Sequence, residues 1–130
     1  MKTKTIKQTL EFKLQPSEIY DILMDSEKHS AITGSEAEIS KKVGGTIWAY
    51  DGYITGENIE LMKDKKIVQK WSASDWPEGH FSKATFKLDK TKKGTKLTFT
   101  QTSVPEEQCD DIAQGWYEFY WDPIKGMFEK

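Results

Sequence analysis

The C-terminal stretch from Pro105 to Lys130 constrains the fold most, because it reads as one long helix with too much apolar surface for a single contact. Ser103-Val104-Pro105-Glu106 has the form of a capping box, with Pro105 early, where its missing N–H costs nothing. Glu106, Glu107, Asp110 and Asp111 place acid at the positive end of the helix dipole. At about 100° per residue, Ile112, Trp116, Phe119, Tyr120, Pro123 and Met127 form one apolar stripe, and Tyr117, Trp121, Ile124 and Phe128 a second beside it. Gln114, Glu118, Asp122, Lys125 and Glu129 make the polar back. An arc of roughly half the circumference must be gripped on two sides, and a curved sheet is the natural partner. Gly115 and Pro123 interrupt the helix. Pro123 predicts a kink, either a bend that follows the sheet or a hinge that lets the helix lift from a cavity.

The rest of the chain supplies the sheet. Ile6, Gln8, Leu10, Phe12 and Leu14 alternate with polar residues, as in a half-buried strand. Gln15 to Glu18 start a short helix with Ile19, Ile22 and Leu23 on one side, Asp25 caps a second through His29 and Ala31, and Thr33-Gly34 ends it. A brief edge strand is expected at 36–39. Thr46 to Tyr50 and Tyr53 to Leu61 read as a hairpin joined at Asp51-Gly52. Further strands cover Ile67 to Ala73, Ser82 to Leu88 and Leu97 to Gln101, with a lysine-rich loop from Lys90 to Gly94. Strands with one polar face point to a single antiparallel sheet solvated on one side. A helix of about 25 residues spans about 37 Å, and seven strands at ~4.8 Å spacing span about 30 Å. One helix can thus cross the whole sheet. The fold class is α+β, a helix-grip arrangement of about six or seven strands around a long C-terminal helix, with two short helices after the first strand.

Composition excludes several functions. The 130 residues are read as a single domain, residues 1–130, with charges that nearly cancel to −2. Nothing in that balance asks for nucleic acid or an anionic membrane. The aromatic residues are not interleaved with basic ones, which also argues against base stacking. No apolar run reads as a signal peptide or a membrane span. Cys109 is the single cysteine, consistent with a reducing, cytoplasmic setting, and reads as a bystander. Two histidines and one cysteine without ligand spacing argue against a metal site, and no cofactor motif is found.

Two candidate sites remain. Asp75-Trp76-Pro77-Glu78-Gly79-His80-Phe81 is the most distinctive string. Glu78 and His80 could serve as an acid/base pair, or the loop could be a rigid connection with Trp76 and Phe81 packed down. The second is the space between helix and sheet. Gln8, Asn58, Gln69 and Gln101 fall in inward phase. Buried amides need partners, and these could orient a small apolar ligand or bond one another.

Several motifs carry a resemblance: Gly44-Gly45-Thr46, Gly52, Gly56-Glu57, Ile67-Val68 with Lys70-Trp71, Trp76 to Phe81, Pro105 with Glu106-Glu107, Gln114-Gly115-Trp116, Tyr120, Ile124-Lys125 and Phe128. The chain resembles the START-like (SRPBCC) helix-grip superfamily over nearly its whole length, most closely the C-terminal domain of the activator of heat-shock protein 90 ATPase. The resemblance implies a seven-stranded sheet around the helix and a non-enzymatic module that binds a heat-shock protein 90 type chaperone. It implies partner contacts at Trp76, Glu78 and His80. The alternative is a carrier or sensor of a small hydrophobic molecule, with Asn58, Gln69, Trp71, Phe86, Phe99, Gln101, Trp116 and Tyr120 as cavity residues. Two departures stand out. The chain has no room for the separate N-terminal domain of the eukaryotic activator, and Asn58 stands where the family has an apolar residue, which would make the pocket more polar.

Overall fold

The computed structural model describes residues 2–129. Strand β1 (Thr3–Phe12) is followed by helices α1 (Pro16–Met24) and α2 (Ser26–Thr33), then β2 (Glu38–Ile39), β3 (Thr46–Ala49), β4 (Ile54–Met62), β5 (Lys66–Ala73), β6 (Ser82–Lys90) and β7 (Thr95–Pro105). The seven strands form one sheet in the order β1-β7-β6-β5-β4-β3-β2, antiparallel at every pairing. Period-two alternation puts Ile6, Leu10, Phe12, Ile67, Trp71, Phe86, Leu97 and Phe99 on the inner face, all buried. Ile19, Ile22 and Leu23 of α1 close one end of the core.

The C-terminal helix differs from the expected uninterrupted one. Strand β7 continues to Pro105, a single 3₁₀ turn covers Glu106–Gln108, and helix proper begins at α3 (Cys109–Trp116). The expected capping box does not form. Ser103 adopts a left-handed φ of 63°, and the Glu106 N–H donates to the Lys2 carbonyl at 3.0 Å. The residues that suit a capping box also suit a strand end, and pairing with β1 wins.

After α3 the helix widens into a π turn (Tyr117–Trp121) before α4 (Asp122–Phe128). There the Asp122 N–H donates to the Tyr117 carbonyl, five residues back. Pro123, which can donate to no carbonyl, sits at the start of α4, so the widened turn absorbs the disruption expected as a kink. The turn also changes the phase. Trp116 and Trp121, assigned to different stripes by a 3.6 period, stack with centroids 5.7 Å apart and planes at 19°. Tyr117 and Met127 point outward, 37% and 44% exposed, so the gripped face is narrower than the sequence suggests.

Glutamines fix the helix on the sheet. Trp116 Nε1 donates to Gln101 Oε1 at 2.8 Å, and Trp121 Nε1 to Gln8 Oε1 at 2.7 Å. Gln8 Nε2 donates in turn to the Ala113 carbonyl of α3 at 2.9 Å. Replacing Gln8 by Leu should cost about 1–3 kcal/mol, because the Trp121 N–H and the Ala113 carbonyl lose their partner inside the core. Urea unfolding measures this, and an unchanged midpoint would contradict it.

His29 bridges α2 to the helix. Its Nδ1 lies 3.0 Å from the Leu23 carbonyl, which can only accept, so Nδ1 carries the proton. Its Nε2, 2.8 Å from the Tyr120 hydroxyl, therefore accepts. Burial holds the His29 imidazole below its ordinary 6.5 despite the Leu23 carbonyl. The unfolded chain thus takes up a proton before the folded one. This contribution to stability is fully present above about pH 6.5 and is lost as pH falls below it. Replacement of His29 by Gln should flatten that part of the pH–stability curve. An identical slope in wild type and variant between pH 6.5 and 5 would contradict it.

Candidate functional site

A cleft of about 310 Å³ opens between the helix and the β3–β4 connection. This lies at the lower end of the ~300–1,000 Å³ range of small-molecule sites. Its floor is Trp71 and Trp116, one wall is Ile112, Phe119 and Tyr120, and the other is Tyr50, Tyr53 and Ile54. Asp75, Gln108 and Asp111 stand at the rim.

The β3–β4 wall is strained. The expected two-residue turn at Asp51-Gly52 is a four-residue loop, since Ala49 pairs with Ile54. Tyr50, Asp51 and Gly52 are all left-handed, with φ of 53°, 55° and 92°. That conformation costs a non-glycine residue about 1–3 kcal/mol, so neighbouring bonds must enforce it. The Asp51 N–H donates to the Glu36 carbonyl at 3.1 Å, and the Glu36 N–H returns a bond to Asp51 Oδ1 at 2.9 Å. A side chain on Gly52 would collide with the Trp48 indole, its Cβ falling 2.8 Å from Nε1. The loop holds the Tyr50 ring edge-on to Phe119 at 5.1 Å and 6.4 Å from Tyr53.

At the rim, Tyr53 donates its hydroxyl to Asp75 Oδ1 at 2.8 Å. Burial, then this bond and the charges of Asp75 and Asp111, push the Tyr53 phenol up to about 12. Burial likewise raises the Tyr120 phenol, whose hydroxyl is committed to His29. Burial first, and Asp110 second, push the Cys109 thiol up, so it is not a ready nucleophile. Among the described residues no group of three or more His, Cys, Asp or Glu could hold a metal ion.

The eight residues read from sequence as cavity-lining divide into three groups. Trp71, Trp116 and Tyr120 line the cleft. Gln69 and Phe86 border a void of about 10 Å³ deeper in the core, about the size of one water. Asn58, Phe99 and Gln101 are enclosed, at most 1% exposed, and line neither space. The four inward amides bond within the protein. Gln69 Nε2 donates to Asn58 Oδ1 at 3.1 Å, and Gln101 Nε2 to Ser82 Oγ at 2.9 Å. Asn58 Nδ2 donates to the Ser40 and Lys42 carbonyls at 2.6 and 3.0 Å. Asn58 therefore ties down the β2–β3 connection and adds no polarity to the cleft. Tyr50, Tyr53, Asp111 and Phe119 were not singled out as site residues from the sequence, and Asp75 only as the start of the 75–81 string, although tyrosines flanking an Asp-Gly turn were a usable signal.

The 75–81 loop is packed as a connection. Trp76 is 6% exposed, lies 5.4 Å from Trp71, and donates Nε1 to Gln108 Oε1 at 2.7 Å. His80 Nε2 donates to the Ser103 carbonyl at 2.8 Å and stands 5.7 Å from Trp76. Glu78 is exposed. Phe81 is not packed down as expected. It is 40% exposed, with the Lys70 ammonium 4.6 Å from its ring centroid.

Comparison with known proteins gives a consistent result. Residues 13–129 match the family described as Activator of Hsp90 ATPase homolog 1-like protein. The chain is 32% identical over 124 residues to the human Activator of 90 kDa heat shock protein ATPase homolog 1, covering 95% of this chain and 36% of that protein. It is 34% identical over 128 residues to the Dictyostelium discoideum homolog, covering 97% and 33%. The chain thus spans about a third of the length of these curated relatives. The crystal structure of an HSP90 activator from Plasmodium falciparum superposes with a TM-score of 0.86 at 28% identity, covering 96% of both chains.

Gly115 faces the cleft without a packing reason. A Cβ built there meets only Phe119 Cδ2, at 3.9 Å. Replacing Gly115 by Ala should therefore raise stability, by up to about 1 kcal/mol. Urea unfolding tests this, and a destabilised variant would contradict the open geometry.

Proposed function

This chain belongs to the Activator of Hsp90 ATPase homolog 1-like family, and from that premise we propose that it is a non-enzymatic module that binds a heat-shock protein 90 type chaperone in the cytoplasm. The observation that carries the reading is the family match, which runs from residue 13 to 129 and so takes in six of the seven strands and the C-terminal helix. A regulator of another protein's ATPase needs a docking surface and no catalytic centre of its own. A lone cysteine suits a reducing compartment.

The outer face of the sheet supports a docking role. Across β5 and β6, Lys66 stands directly opposite Lys87 and Lys70 opposite Lys83. Like charges in such pairs are destabilising. Lys66 and Lys70 are relieved by Glu60 at 3.4 Å and Glu57 at 3.7 Å, while among the described residues Lys83 and Lys87 make no ion pair. The neighbouring Phe81 adds an exposed aromatic anchor. In this reading an acidic segment of the chaperone lies on Lys83 and Lys87 beside Phe81. Glu78 is exposed in the loop that leads to Phe81, and Trp76 and His80 hold that loop in place. Truncating Trp76 would cost about 3–5 kcal/mol as a buried tryptophan, so surface variants are the cleaner test.

Adding the protein to the heat-shock protein 90 of its own organism should raise the ATPase rate saturably. The Lys83→Glu/Lys87→Glu variant should fold normally and lose at least tenfold in affinity, more at low salt than at high. Equal binding by wild type and variant would remove the sheet face from the account, and no binding by either would remove the chaperone reading. A second reading, a carrier of a small apolar molecule, is favoured by the cleft of about 310 Å³. A compound retained by the purified protein in native mass spectrometry would support it.

A further inference from the structure

The cleft's chemistry is more selective than that of an apolar pocket. Six of the residues lining it are aromatic, two carboxylates stand at its rim, and none is Lys, Arg or His. Aromatic faces carry the negative part of the ring quadrupole and attract cations. Asp75 is oriented by the Tyr53 hydroxyl at 2.8 Å. The Tyr120 hydroxyl is turned to His29 and the Gln108 Oε1 accepts from Trp76, so beside the carboxylates the groups left to recognise a polar ligand are the Tyr50 hydroxyl and Gln108 Nε2, both uncharged. Two further features suit a ligand site. The Tyr50–Asp51 backbone is strained into the left-handed region, a condition that concentrates at ligand clamps. Gly115 leaves its stretch of the helical wall bare although the space accepts a side chain.

We propose that this cleft binds an organic cation with a flat apolar body, an aryl-bearing ammonium, whose apolar part lies between Tyr50, Trp71 and Phe119 and whose charge faces Asp75 and Asp111. The inference rests on the carrier reading of the same cleft and is independent of chaperone docking on the outer sheet face. A carboxylate or phosphate would meet two like charges and, among the described lining residues, no compensating cation. A neutral molecule of the same shape would fill the apolar part and leave the rim unused.

The test is titration with three probes of matched shape, 2-phenylethylammonium, 2-phenylethanol and 3-phenylpropionate, by calorimetry and by ¹H–¹⁵N shifts of the intact chain. The ammonium should bind at least tenfold more tightly than the alcohol, the carboxylate more weakly still, with shifts centred on the Gly115 and Tyr53 amides. Asp75→Asn with Asp111→Asn should bring ammonium and alcohol within threefold of each other. Asp111→Asn alone keeps the Tyr53–Asp75 bond and should narrow the gap partway. Gly115→Leu should fold, with a melting temperature no lower than wild type, and lose at least tenfold for the ammonium. Equal binding of ammonium and alcohol would overturn the charge preference and leave a simple apolar carrier. No shift at Gly115 with any probe at millimolar concentration would overturn both.

Discussion

The structure depends on a stacked pair of indoles. Trp116 and Trp121 lie face to face at 5.7 Å on the helix, and each hands its one polar hydrogen to a glutamine of the sheet, Gln101 on β7 and Gln8 on β1. Without these partners each buried indole would carry an unpaired N–H at a cost of about 1–3 kcal/mol. The two strands are adjacent, so the pair fixes both the position of the helix across the sheet and its rotation. The stack exists because the helix widens to a π turn between the two residues. In an uninterrupted α-helix, residues five apart lie about 140° apart around the axis, and one indole would leave the core.

Once the helix is placed, the molecule has distinct faces. The sheet's inner face is spent on the helix. Its outer face carries opposed lysines at Lys66/Lys87 and Lys70/Lys83. From 106 to 129 the helical segment carries seven carboxylates and one lysine, Lys125. The net charge of −2 is thus a cancellation of separated charges, and a composition argument against anionic partners misses that separation. Where β3 and β4 turn away from the helix, the grip is incomplete, and the aromatic cleft with its acidic rim occupies that gap.

The strands were legible because one face is buried and one solvated, so a period of two is written plainly in Ile6 to Leu14 and in Ser82 to Leu88. The helix was legible as an element but not in its detail. Ser103 to Glu106 fits both a capping box and a strand end, and only pairing with β1, a long-range contact, decides between them. The stripes were misassigned because a π turn has no sequence signature beyond a nearby proline, here Pro123. The amides at Gln8, Asn58, Gln69 and Gln101 could be read as inward from strand phase, but their partners come from distant segments. The cleft was the least legible part. Its rim combines a turn, a loop and the start of the helix, and none of these is periodic. Gly115 could be read as a helix defect, but that its missing side chain leaves open space depends on packing.

The central claim is that the helix is consumed internally and that partner docking falls to the basic outer face of the sheet. Lysine acetylation footprinting of the complex with heat-shock protein 90, read by mass spectrometry, tests it most directly. The account predicts strong protection of Lys83 and Lys87, partial protection of Lys66 and Lys70, and unchanged labelling of Lys41, Lys42 and Lys63. Protection confined to Lys41 and Lys42, or to Lys28 and Lys125 near the helix, would contradict it.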